Sequence, residues 1–254
     1  MFDQLALKAL LVTAIAGLAT TIGSLIGLGV KRESPRFMCS VLGFTAGVMV
    51  GISFFELLPS SFEIIGFLKS SIAFIAGFGF IFLIDFFIPH EYIGQSERIT
   101  DNTNKKLLRA GFFIAIGIGI HNLPEGMATF YSYLSNENIG LAIAVAVAIH
   151  NIPEGIAVSA PIYKATGKKS RAFLYSFLSG VSEPVGAIIT AVFLLPFLNS
   201  FILAYTLAAV AGIMAFISID ELVPVSISYG YNHLPILSFL IGIIVMILSL
   251  FLLK

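Results

Sequence analysis

Two copies of one short motif carry the residues most able to do chemistry in this chain. Residues 121–126 read HNLPEG and residues 150–155 read HNIPEG, so the second histidine stands 29 positions after the first. In each copy the histidine and the glutamate are four residues apart, which on a helix places them on one face with Cβ atoms about 6 Å apart. Imidazole, amide and carboxylate donors together suit a divalent transition metal. Two such faces inside one bundle therefore predict a metal-binding centre.

A proline follows each motif histidine by three positions. Pro124 and Pro153 have no N–H to donate to the carbonyls of Ile120 and Ile149. We therefore predict a kink that opens each helix beside the metal donors, with the freed carbonyl lining a cavity. A single proline kink is common in membrane helices, but here the same frame occurs twice next to His and Glu.

The surrounding sequence is that of a membrane protein. Hydrophobic residues make up 58% of the 254 residues, and charged residues make up 11%. Apolar runs of about 20 residues, long enough to cross hydrocarbon as a helix, recur along the chain. The runs are continuous rather than alternating, which disfavours a β-barrel. We predict an all-α integral membrane protein in which residues 1–254 form a single polytopic domain in the lipid bilayer, with no nucleic-acid partner.

Eight transmembrane helices account for the apolar runs. The predicted spans, separated by turn-forming and polar residues, are 5–30, 37–60, 67–88, 108–133, 139–163, 170–196, 200–223 and 234–253. Of the 14 lysines and arginines, 11 fall in the loops after the first, third and fifth helices or in the first two residues of the helix that follows. Basic loops favour the cytoplasmic side. The bias predicts a multi-pass protein of the cytoplasmic (inner) membrane with both termini outside.

The chain also contains an internal repeat. Residues 46–59 align with 211–224 at an offset of 165 with eight of fourteen positions identical, and residues 17–23 align with 180–186 at an offset of 163. Helices one to three are therefore predicted to recur as helices six to eight, a 3+2+3 arrangement around helices four and five. The two repeats are inverted in the membrane, as in many secondary transporters. The alternative interpretation is a relic symmetry without a role in transport.

Acidic side chains recur within the predicted spans, where no lysine or arginine stands at mid-span. They are Glu56, Asp85, Glu125, Glu154, Glu183, Asp220 and Glu221. Buried carboxylates must bind protons or share a cation, and ionisable residues in hydrocarbon usually mark an ion path. Glu183, followed by Pro184, is a candidate metal ligand. Asp85, with His90 and Glu91 just beyond it, is either part of an exit route or a solvated helix end.

The paired motifs and the GVM…ELLP pattern of residues 47–59 resemble the ZIP (Zrt/Irt-like) family of metal transporters, in particular its bacterial ZupT-like branch. The resemblance covers essentially the whole chain. It implies import of Zn²⁺, and also of Fe²⁺, Mn²⁺ and related ions, by alternating access. The metal would be the transported substrate, and no cofactor is implied.

The resemblance also implies a binuclear site between helices two, four, five and six. Its first metal position is assigned to Met49, His121, Glu125, His150 and Glu154. Its second position shares the two glutamates and adds Asn122, Asn151 and Glu183. Glu56 is expected to face the outer approach, and Asp220 and Glu221 the inner release route. Without the resemblance, Met49 would be interpreted as ordinary core packing.

Two rival functions use the same donors. A membrane-embedded di-metal hydrolase would use the metals to activate water, but no candidate general base stands apart from the ligands. A metal sensor or receptor would be expected to have a sizeable soluble domain, and the chain has no polar stretch long enough for one. The sequence therefore predicts a transporter and not an enzyme. A homodimer is one of the oligomeric states open to it.

Overall fold

The computed structural model describes residues 4–29, 34–86, 101–197 and 199–253, and nearly all of these residues are helical. The helices, labelled in chain order, are α1 (Gln4–Gly29), α2 (Pro35–Ile65), α3 (Phe67–Phe86), α4 (Asp101–Ser135), α5 (Glu137–Thr166), α6 (Lys169–Ile189), α7 (Ser200–Ile227) and α8 (Leu234–Leu253). All eight contain a stretch long and apolar enough to cross a membrane. The predicted all-α membrane fold with eight spans is confirmed.

Several helices extend beyond their predicted ends. α4 covers Asp101–Ser135 where the sequence predicted 108–133, and α2 continues to Ile65. α2 ends at Gly66, whose φ is 79° and whose N–H donates to Phe62 O at 3.0 Å. Only glycine adopts such a φ without strain, so this residue stops the helix.

Two of the helices change their winding at equivalent places. Ser53–Leu57 in α2 and Ile217–Leu222 in α7 are π-helical turns. The serine that begins the first turn donates to Met49 O at 2.8 Å, and Ser218 in the second donates to Met214 O at 2.7 Å. π-helical turns inside α-helices often mark functional positions. The sequence analysis did not predict them.

Neither helix is interrupted at its motif proline. α4 continues through Pro124, and α5 continues through Pro153 and Pro161. A kinked helix is also helical on both sides of its proline, so the predicted kink and freed carbonyl stay a prediction. A proline removes one hydrogen bond from the helix. In a membrane bundle the neighbouring helices hold the chain in place, so the loss of one bond does not interrupt the helix.

Glycines set the closest crossings between helices. A Cβ at Gly126 would lie 2.0 Å from Glu183 O, so α4 packs on α6 without space for a side chain. A Cβ at Gly155 would lie 1.9 Å from Thr20 O, which brings α5 equally close to α1. Membrane helices often associate through such small residues. Because both glycines end a motif, the motifs themselves fix α4 against α6 and α5 against α1.

A lysine contact marks each end of the bundle, an ion pair at one end and a cation–π contact at the other. Lys8 Nζ lies 3.6 Å from Glu137 Oε2, so the start of α1 is next to the turn between α4 and α5. At the other end, Lys164 Nζ lies 4.5 Å from the centre of the Tyr229 ring. Between the ends, large apolar side chains such as Ile75 are exposed, as expected of a surface that faces hydrocarbon.

Candidate metal centre

Four motif residues meet in two pairs that cross from one helix to the other. His121 Nε2 lies 3.1 Å from Glu154 Oε1, and His150 Nε2 lies 3.2 Å from Glu125 Oε2. Each pair therefore joins α4 to α5 instead of linking two residues of one motif. Both histidines and Glu154 expose no surface, and Glu125 exposes 4%. Mutual pairing is how such polar side chains can be kept out of water.

The second ring nitrogen of each histidine faces the backbone. His121 Nδ1 lies 3.1 Å from Gly117 O, and His150 Nδ1 lies 3.1 Å from Ala146 O. A carbonyl oxygen only accepts hydrogen bonds, so Nδ1 is the donor and carries a proton. Nε2 is then the atom that can bind a metal ion once it holds no proton, and a carbonyl on Nδ1 is the usual support of a metal-binding imidazole.

The motif asparagines hold the outer helices through equivalent hydrogen bonds. Asn122 Nδ2 donates to Ser179 O in α6 at 3.1 Å, and Asn151 Nδ2 donates to Ala16 O in α1 at 2.9 Å. Asn151 Nδ2 also donates to Oε1 of Glu183. This last contact brings the third carboxylate of the predicted site into the cluster. Because the amide nitrogens are engaged, the amide oxygens are left as acceptors.

Several buried oxygen atoms of the cluster have no hydrogen-bond partner among the residues that the structure describes. They include Asn122 Oδ1, Asn151 Oδ1, Glu154 Oε2 and Glu183 Oε2. Buried acceptors without a donor are rare, because burial removes the water molecules that would otherwise donate hydrogen bonds to them. Carboxylate and amide oxygens beside imidazole nitrogens are donors that a borderline divalent cation accepts. The unsatisfied atoms therefore fit a cation-binding cluster.

The donors do not converge on one point. Within the described ranges, no three histidine, cysteine, aspartate or glutamate side chains surround a common position that could hold a metal ion. The reason is the pairing across the interface, since each Nε2 faces a carboxylate of the neighbouring helix. Metal binding by all of these residues requires the pairs to separate and the side chains to turn toward a shared centre.

Met49 and Glu56 lie on α2, next to the second motif. Met49 exposes no surface, and one turn before it Thr45 Oγ1 donates to Pro153 O at 3.2 Å. A cavity of about 400 Å³ is lined by both Glu56 and Glu125. It extends to Asn138 in the first turn of α5. The structure thus places Glu56 and a motif glutamate on the wall of one cavity.

The other predicted pathway residues lie apart from this cavity. Asp220 and Glu221 are partly buried in the π-helical turn of α7. That turn packs on α4, because a Cβ at Gly117 would lie 3.2 Å from Ile217 Cδ1. Asp85 stands in the last turn of α3, but its side chain, like His90 and Glu91, is outside the described part of the structure.

The sequence analysis missed the backbone acceptors of the two asparagines. Ala16 and Ser179 have no chemistry of their own, yet their carbonyls orient both amides. They stand 163 positions apart, the offset already found for residues 17–23 and 180–186. Extending that alignment by one residue would have shown that they are equivalent.

Fold and site together define the class of protein. It is a multi-pass α-helical membrane protein whose buried imidazole, carboxylate and amide donors lie at the crossing of two central helices. Ionisable groups in that position are typical of ion and substrate paths.

Comparison with known proteins gives the family. The profile of the ZIP zinc transporter family matches residues 89–250. The zinc transporter ZupT of Chlorobium phaeovibrioides is 49% identical over 261 aligned positions, which cover 96% of this chain and 97% of the relative. Those of Clostridium perfringens and Streptococcus mutans are 45% and 46% identical, with at least 96% of each chain covered. This chain therefore belongs to the ZIP family. The three relatives are named as transporters and not as enzymes.

Proposed function

We propose that this chain imports divalent transition-metal ions, with Zn²⁺ as the first substrate, through the buried cluster of α4 and α5. The names of the relatives support zinc. The mixed donors also accommodate Fe²⁺ and Mn²⁺, since imidazole and carboxylate bind all three ions. The observation that carries the proposal is the crossed pairing of His121 with Glu154 and of His150 with Glu125 inside the bundle.

The cluster is proposed to hold two metal ions. Met49, His121 and His150 would bind the first ion, and Asn122, Asn151 and Glu183 would bind the second. Glu125 and Glu154 would bridge the two. The unpartnered oxygens on the asparagine side of the cluster support a second position there. Two cations that share carboxylates repel each other, which keeps binding weak enough for release.

Transport is proposed to follow alternating access between two inverted repeats in a 3+2+3 arrangement. Equivalent crossings support this. A Cβ at Gly47 would lie 2.0 Å from Phe239 O, and a Cβ at Gly212 would lie 2.0 Å from Phe74 O. In both pairs the equivalent residues stand 165 positions apart, so α2 meets α8 as α7 meets α3. Inverted repeats allow one half to rock against the other around a fixed site.

The membrane orientation belongs to the same proposal. We place the protein in the cytoplasmic membrane with both termini outside, because 11 of the 14 basic residues fall in or next to the loops that would then be cytoplasmic. The cavity lined by Glu56 then opens outward, and Asp220 and Glu221 stand on the inner release route, with Asp85 near the inner end of α3. Residues 1–254 would form one transport domain.

Uptake by purified protein in proteoliposomes tests this function. With an inward zinc gradient, the unaltered chain should accumulate zinc, whereas Glu125→Ala and Glu154→Ala should abolish uptake. Glu63→Ala is the matched control, because Glu63 is an exposed carboxylate near the end of α2 and its loss should leave uptake unchanged. Near-normal zinc uptake by either cluster variant, in protein that still inserts, would refute the proposed path.

A further inference from the structure

Thr20 occupies in α1 the place that Glu183 occupies in α6. The two residues stand 163 positions apart. A Cβ at Gly17 would lie 2.9 Å from Glu183 Cβ, and a Cβ at Gly180 would lie 2.9 Å from Thr20 Cβ. The two side chains therefore take equivalent positions at the α1–α6 crossing, one on each side of it.

The neighbouring contacts repeat in the same way. Glu183 O lies against Gly126 of the first motif, and Thr20 O lies against Gly155 of the second, at 2.0 Å and 1.9 Å from the respective added Cβ. Glu183 also contacts Asn151 through its carboxylate. The repeat therefore places Thr20 on the Asn122 side of the cluster.

Within the described part of the chain, the hydroxyl of Thr20 has no hydrogen-bond partner. The side chain exposes no surface, and none of the described residues lies within hydrogen-bond distance of Oγ1 in a suitable geometry. A helical threonine commonly donates to the carbonyl four residues earlier, as Thr13 does to Ala9 O at 2.9 Å. For Thr20 that carbonyl is Ala16 O, which already accepts the amide of Asn151 at 2.9 Å. A buried hydroxyl with its usual acceptor engaged elsewhere is uncommon.

We propose that the hydroxyl oxygen of Thr20 is a neutral ligand for a divalent cation in the cluster, opposite the Glu183 carboxylate. This inference rests on the proposed two-metal site. Three carboxylates face the four positive charges of two divalent ions, and a fourth at position 20 would neutralise them in a medium of low dielectric constant. A hydroxyl adds an oxygen donor without that charge, so the cation is held and still released.

Zinc titration of the purified full-length chain tests the hydroxyl. Thr20→Val keeps the shape of the side chain and removes the oxygen, so the weaker of the two zinc-binding events should lose about tenfold in affinity. Thr20→Ser should restore it. Thr13→Val is the matched control, since that buried hydroxyl in the same helix bonds only to backbone. Equal zinc affinities for Thr20→Val and Thr13→Val would overturn the inference.

An exchange of the two side chains tests the equivalence of the positions. Glu183→Thr should lose the weaker binding event, and the double variant Thr20→Glu with Glu183→Thr should regain it. If Glu183→Thr alone still binds two zinc ions, the proposed assignment of Glu183 to the second ion fails. If it loses one ion and a folded double variant does not recover it, only the role of Thr20 fails. If the double variant does not fold, the comparison of valine variants decides.

Discussion

His121 and Glu154 face each other where α4 crosses α5, with Nε2 3.1 Å from Oε1 and no exposed surface on either side chain. The glutamate of the first motif makes the same contact with the histidine of the second. Neither motif is therefore complete alone, because each histidine depends on the carboxylate of the other helix.

The pairing predicts a large cost when one partner is removed. His121→Ala leaves Glu154 buried without its partner, which should lower the free energy of unfolding by roughly 3 kcal/mol. The double variant His121→Ala with Glu154→Ala should lose less than the sum of the single variants, because no orphaned charge remains. Denaturant unfolding of purified protein in detergent, without added metal, measures this. His233→Ala, at an exposed residue, is the control, and additive losses would contradict the coupling.

The close helix crossings predict that the motif glycines accept no side chain. Gly126→Ala and Gly155→Ala place a methyl group about 2 Å from the carbonyls of Glu183 and Thr20, so α4 and α5 must move away from their neighbours. Both variants should show a lower thermal unfolding temperature and little zinc uptake. Gly79→Ala is the matched control, because a Cβ at Gly79 in α3 meets nothing within 4 Å. It should be neutral or slightly stabilising through helix propensity. Unchanged stability in Gly126→Ala would show that the helices separate easily.

Much of the fold could be predicted because a membrane imposes simple rules. Span length gives eight helices, and the motif spacing places histidine and glutamate on one face. The helix ends were predicted less closely. α2 continues past its predicted end at residue 60 and stops before Gly66, which ends it through its own φ rather than through a change in hydropathy.

The pairing of the donors could not be predicted in the same way. Spacing along one helix cannot show that His121 faces Glu154 instead of Glu125, because that choice depends on how α4 and α5 cross. The π-helical turns could not be predicted either. Ser53 and Ser218 bond to carbonyls of their own helices, and such bonds leave no periodic pattern in the sequence. The kink at the motif prolines stays a prediction, since a missing N–H can bend a helix without ending it.

Alternating access predicts where aqueous reagents reach the two repeats. Glu56 lines the cavity, and Glu221 stands at the equivalent position of α7. With Cys39 replaced by serine, cysteine at position 56 should react with a membrane-impermeant thiol reagent from outside. Cysteine at position 221 should react only from the cytoplasmic side, and zinc should change both rates. Labelling of both positions from one side, independent of zinc, would exclude this mechanism.

Diffraction at the zinc absorption edge, from crystals of the full chain grown with zinc, tests the central claim most directly. The account predicts two anomalous peaks roughly 4 Å apart at the crossing of α4 and α5, bridged by Glu125 and Glu154. His121 Nε2 and His150 Nε2 should lie about 2.1 Å from zinc and no longer face the carboxylates alone. Crystals of Glu183→Ala should keep one peak. Zinc bound only outside this crossing, with both histidine–glutamate pairs intact, would contradict the account.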